Sequence, residues 1–124
     1  MQIMERTYSL SSGILNCFPT YAIFDFTAER YDLKEAKEFG KVIDTHYKGR
    51  KCVVISTRKL TKSINPEVYT AVTSKSVIAI AIVSENEAVR KEAVKEQSLC
   101  QGAFSYFKTI DEAVNWADTV VKNS

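Results

Sequence analysis

The residues with the most chemistry in reach lie in one stretch, VISTRKLTKSINPEVY, positions 54 to 69. Arg58, Lys59 and Lys62 follow an apolar strand there, and Ser63, Asn65 and Pro66 stand where the next helix should open. A helix N-terminus offers unpaired N–H groups and about half a positive charge, to which these side chains would add whole ones. Such a junction suits an anionic ligand, a phosphorylated Ser63 or an acidic partner surface. Arg58 would be the bidentate contact, and Tyr69 in the helix could line a pocket. A plainer account is that Ser63 and Asn65 satisfy the helix end, worth ~1 kcal/mol, while the cations lie in solvent. Without a glycine-rich turn the loop is a weak phosphate signature.

Other reactive residues suggest less. His46 and Tyr47 close a helical pattern, where a histidine suits the helix dipole, and no nucleophile with local support stands near it in sequence. Cys17, Cys52 and Cys100 are odd in number and far apart, with no CxxC pair, so they read as reduced thiols in a cytoplasmic protein. Cys17 and Cys52 look like small core residues, and Cys100 stands near a helix end. With one histidine there is no Cys/His metal constellation, and no cofactor motif is present. Phe104, Tyr106, Phe107 and Trp116 could wall an apolar cavity, or simply cement a short strand to the last helix.

The charge is unevenly placed. Residues 1–47 and 63–124 each carry two more acids than bases, while 48–62 hold Lys48, Arg50, Lys51, Arg58, Lys59 and Lys62 and no acid. The six cations flank one strand in two patches roughly 20 Å apart, and Lys48, Arg50 and Lys51 read most simply as a solvated helix end. A near-neutral remainder argues against a nucleic-acid binder. No apolar run reaches the ~18 residues of a membrane span, and MQIMERTYSL does not read as a secretory signal. At 124 residues, with 45% hydrophobic and 26% charged, the chain should form one domain (1–124) with its own core.

The elements that must position these residues follow from patterning. GILNCF and YAIFDFT flank Pro19-Thr20 as an antiparallel hairpin, with Ala22, Phe24 and Phe26 facing the core. Asp32 and Glu35 form a capping box ahead of a helix that stops near Gly49. CVVIS (52–56) and SVIAIAIVS (76–84) lack a polar face, as strands of a parallel sheet covered on both sides do. Asn65-Pro66 should start a second helix running to about Ser74. Ser84 with Glu87 should cap a third whose only apolar stripe is Val89 and Ala93. AFSYF (103–107) is a last strand, and Thr109 with Glu112 caps a helix turning Ile110, Ala113, Val114, Ala117, Val120 and Val121 inward. The order β-β-α-β-α-β-α-β-α predicts an α/β fold: a mixed, mostly parallel sheet with an N-terminal antiparallel hairpin and four helices.

The runs VVIST-R, SINPEVY and IAIAIVS, closed by FSYFKTIDEAVNWA, resemble small SpoIIAA-like or STAS-like bacterial domains over nearly the whole chain. Those are relatives of anti-sigma-factor antagonists and of lipid-binding CRAL-TRIO domains. The antagonists carry an Asp-Ser-Ser-Gly-like motif whose serine is phosphorylated at a helix start. The matching place here reads Lys62-Ser63-Ile64-Asn65-Pro66, without the acid or the glycine, which argues against a kinase-regulated switch.

The reading that follows is a non-enzymatic regulatory or binding domain. It should recognise a protein partner or an anionic ligand through Arg58, Lys59, Lys62, Ser63, Asn65 and Tyr69. The alternative is a small-molecule or lipid carrier with an aromatic-walled apolar cavity. The exposed edge of the hairpin leaves a homodimer open.

Overall fold

The computed structural model describes residues 2–60, 63–71, 74–100 and 102–124. Three antiparallel strands come first: β1 (Arg6–Leu10), β2 (Gly13–Cys17) and β3 (Tyr21–Phe26). They are followed by β4 (Arg30–Tyr31), α1 (Leu33–His46), β5 (Cys52–Thr57), β6 (Ser63–Ile64), α2 (Val68–Ala71) and β7 (Val77–Val83). The chain ends with α3 (Glu87–Gln97), β8 (Ala103–Phe107) and α4 (Ile110–Lys122). The main sheet runs β1-β2-β3-β5-β7-β8, and β4 and β6 make a separate parallel pair. Strands β3, β5, β7 and β8 are mutually parallel, so the mixed, mostly parallel α/β sheet with four helices is the fold found.

The unbroken apolar run of β5 is explained by its central place. Val53 and Ile55 pack with Tyr21, Ala79, Ala81, Ala113 and Ala117 beneath α4. Cys52 and Val54 pack on the opposite face with Phe24, Phe26, Ile43 and Tyr47 beneath α1. Helix α3 buries Val89 and Ala93 against Ile82 and Phe104.

Several local expectations change. The hairpin is part of a three-stranded meander. The strand missed, β1, is largely exposed and is the sheet edge at that side. Helix α2 begins at Val68 and spans Val68–Ala71 among the described residues, a turn after β6 stands where its start was expected, and positions 72–73 of the expected helix lie outside the described residues. Asn86, not Ser84, caps α3 through its side chain to Ala88 N–H. Ile110 is 41% exposed, so it does not join the inward face of α4. The late aromatics part company: Phe107 of β8 packs on Trp116 of α4, with ring centroids 5.6 Å apart, while Phe104 and Tyr106 belong to the α3 side.

His46 does more than sit at a helix end. Its Nε2 lies 2.9 Å from Glu5 and its Nδ1 3.0 Å from the Tyr8 hydroxyl. Arg50 grips the same Glu5 carboxylate through two bonds of 3.0 Å. Arg50 first, then His46, hold the Glu5 carboxyl below its ordinary value. One cation of the earlier basic patch is therefore matched within the chain.

Candidate functional site

Arg58 is the first residue after β5 and continues the face of that strand which carries Val54 and Ser56. That face looks toward α1 and α3, away from solvent, and Arg58 is only 6% exposed. Its two terminal nitrogens reach the Glu96 carboxylate of α3, Nη1 to Oε2 at 2.6 Å and Nη2 to Oε1 at 3.0 Å. The Tyr69 hydroxyl of α2 donates to Glu96 Oε1 as well. Burial alone would lower the Arg58 pKa, but the hydrogen bonds and charge of Glu96 outweigh it and hold the guanidinium above its ordinary value. Burial first, and then the Glu96 charge, raise the Tyr69 phenol, which stays a donor. The guanidinium face also lies over the Phe26 ring, 5.6 Å from its centroid.

The expectation that Arg58 presents a bidentate contact to an outside anion is therefore corrected. The fork is used on a carboxylate of the same chain. Sequence reasoning missed Glu96, although one signal could have found it: it lies seven residues after Val89 and three after Ala93, on the stripe that α3 turns inward. A carboxylate on a buried stripe asks for a buried cation.

The remaining expected residues do not converge on this pair. Lys59 is exposed, and its carbonyl accepts from the Asn86 amide at 3.2 Å. Lys62 lies outside the described residues. Ser63 is exposed in β6, opposite Arg30 of β4, and its N–H donates to Glu29 O at 2.9 Å rather than ending a helix. The Asn65 amide nitrogen donates to Asp32 Oδ1 at 2.8 Å, and its oxygen accepts from Glu67 N–H at 3.0 Å. Asn65 is thus a brace between the α2 turn and the capping box of α1. An anionic ligand or acidic partner arriving at this junction would meet Lys59, not Arg58.

The brace has a pH consequence. Asn65 first, then the Leu33 N–H, hold the exposed Asp32 carboxyl below its ordinary 3.8. A depressed carboxylate contributes stability above its unfolded pKa and loses it as pH falls through the folded one. The melting temperature of Asp32→Ala is therefore expected to decline less than that of the parent chain between about pH 4 and pH 2. Parallel curves over that range would refute the assignment.

What the structure does assemble is a partly open cavity of about 500 Å³. Phe24, Phe26, Val54 and Ile80 of the sheet form its floor, Phe39 and Ile43 of α1 one wall, and Val68 and Tyr69 the α2 side. Its aromatic residues are not the four expected late ones; they come from β3, β4, α1 and α2. Ser56 and Arg58 also line it, at 5% and 6% exposure, and Ser56 Oγ and Arg58 Nε have no hydrogen-bond partner among the described residues. Tyr31 lines it too, tilted against Phe26 with centroids 5.4 Å apart, and burial raises its phenol.

Acid–base and thiol chemistry find little support in the geometry. Both ring nitrogens of His46 are engaged, by Tyr8 and Glu5. Burial pushes the Cys17 thiol up to about 11 and the Cys52 thiol to about 12, so neither is a ready thiolate. Cys100 reaches the cavity wall.

No family model matches the chain, and no curated protein matches it. Among solved structures it is similar to an uncharacterized protein from the DUF3478 family with a SpoIIAA-like fold, from Shewanella loihica PV-4. The two share 12% identity over 94% of this chain and 92% of that one, with a TM-score of 0.59. The SpoIIAA-like resemblance read from the sequence is thereby shown at the level of fold, and fold does not specify function. Among the described residues no helix is long and apolar enough to cross a membrane.

Proposed function

We propose that this chain is a binding domain rather than an enzyme, and that it holds a small, largely apolar molecule in the cavity between the sheet, α1 and α2. The observation that carries this is the cavity itself, about 500 Å³ and lined mainly by apolar and aromatic side chains with a few polar groups. Ligand sites are typically of this kind, about 300–1,000 Å³ with a few placed polar groups. Packed interiors do not keep so large a void without a reason, because unfilled apolar volume costs stability. The engaged His46 and the raised thiols of Cys17 and Cys52 support binding over catalysis.

Filling the cavity tests the reading. Ile80 lines its floor and is only partly buried, so Ile80→Trp should project an indole into the space. The parent chain is expected to bind the neutral fluorophore N-phenyl-1-naphthylamine saturably. Ile80→Trp should bind it at least about 10-fold more weakly while keeping the parent's circular dichroism and melting temperature. Equal binding by the two folded proteins would place the fluorophore elsewhere and refute the cavity as a site. Apolar ligand released on denaturation of freshly purified protein, seen by mass spectrometry, would be the corresponding positive result.

A further inference from the structure

We propose, resting on the cavity reading above, that the occupant is uncharged at its polar end. It would be an apolar chain or ring carrying an alcohol, ketone or ester oxygen, and not a carboxylate, phosphate or sulfate.

Two observations argue against a charged end. Arg58 is the one charged side chain on the wall among the described residues, and its charge is already matched by Glu96 through bonds of 2.6 and 3.0 Å. Glu96 is itself held from two sides, by Arg58 and by the Tyr69 hydroxyl, so it cannot turn away without stranding both donors. An incoming anion would be desolvated beside an ion pair that is neutral as a whole, so little offsets the loss of its hydration.

The wall is nevertheless not wholly apolar. Among the described residues Ser56 Oγ and Arg58 Nε are buried without partners, on one face, Ser56 in β5 and Arg58 just past its end. A buried donor left without an acceptor carries its full desolvation cost, and a single acceptor oxygen brought by a ligand, with a small turn of the Ser56 hydroxyl, answers it. End-on use of the guanidinium by Glu96, through Nη1 and Nη2, is what leaves Nε over. The arrangement offers hydrogen bonds and no net charge. That combination selects a neutral oxygen.

Displacement of bound N-phenyl-1-naphthylamine at pH 8 separates the possibilities, using 1-decanol, 2-decanone, decane and decanoate as competitors. Decanol and decanone should displace the fluorophore at concentrations at least about 10-fold below decanoate. Ser56→Ala, which removes one unpaired hydroxyl and keeps the shape, should weaken decanol by about 5-fold and leave decane unchanged. Glu96→Gln should raise the relative affinity for decanoate, since the guanidinium charge is then unanswered. Decanoate equal to or better than decanol in the parent chain would overturn the inference while leaving the cavity reading intact. Decane matching decanol, with Ser56→Ala without effect, would overturn it too. If the fluorophore shows no saturable, Ile80-dependent binding, the cavity reading itself has failed.

Discussion

Glu96→Ala should lower stability by about 3–5 kcal/mol, a drop in melting temperature on the order of 10–20 °C. The side chains of Arg58 and Glu96 are 5% and 10% exposed, so truncating the acid leaves a full positive charge in the interior. It also strips the Tyr69 hydroxyl of its acceptor. The loss is that of stranding the partners, not the net worth of the pair. Replacing the whole set by apolar residues of similar size, Arg58→Met with Tyr69→Phe and Glu96→Leu, should therefore recover most of the stability that the single change removes. A urea titration of the three proteins decides it. Glu96→Ala within about 1 kcal/mol of the parent would mean that the pair is solvated in solution, as surface pairs are.

The second large effect is expected at Gly13, outside the Arg58–Glu96 pair. This residue opens β2 with φ at +159°, and a Cβ there would lie 2.1 Å from Asp25 O and 3.0 Å from Phe24 Cε1. The first of these atoms is backbone of the neighbouring strand and cannot swing aside. Gly13→Ala must therefore push β2 from β3 or strain its own backbone, at a cost of about 3 kcal/mol or more. Because Phe24 and Phe26 of β3 floor the cavity, the same change should weaken fluorophore binding in whatever fraction stays folded. Amide exchange along Tyr21–Phe26 reads the displacement directly. Unchanged protection there, with a parent-like melting temperature, would refute it.

Much of the architecture was legible because local rules and tertiary needs agree in it. Asp32 and Glu35 build the capping box that their spacing announces, Gly49 takes φ +79° past the end of α1, and the apolar run of β5 is covered on both faces. The first strand was missed because RTYSL is an edge, exposed at most positions, and has no reason to alternate cleanly. The second helix was overdrawn because Asn65-Pro66 is a good turn as well as a good helix start. Tertiary bonds from Asn65 to Asp32 and from Ser63 to Glu29 chose the turn and a short strand. The basic junction misled for a related reason. A count of charges along the chain cannot show that Arg58 points inward, nor that its counter-charge arrives 38 residues later from α3. The cavity was foreseen only as a possibility and with the wrong walls, since Phe24, Phe26, Phe39 and Tyr69 come together only through the crossovers of the sheet.

The central claim is that a neutral apolar molecule enters the space between the sheet, α1 and α2. Isoleucine methyl resonances followed by NMR during titration with 1-decanol test it most directly, because isoleucines lie both at that space and far from it. Ile43, Ile64 and Ile80 line the cavity and should shift together and saturate. Ile3, Ile14 and Ile110, at 85%, 42% and 41% exposure on other surfaces, should stay where they are. Saturating shifts confined to those exposed three, or none at the three cavity residues, would contradict it.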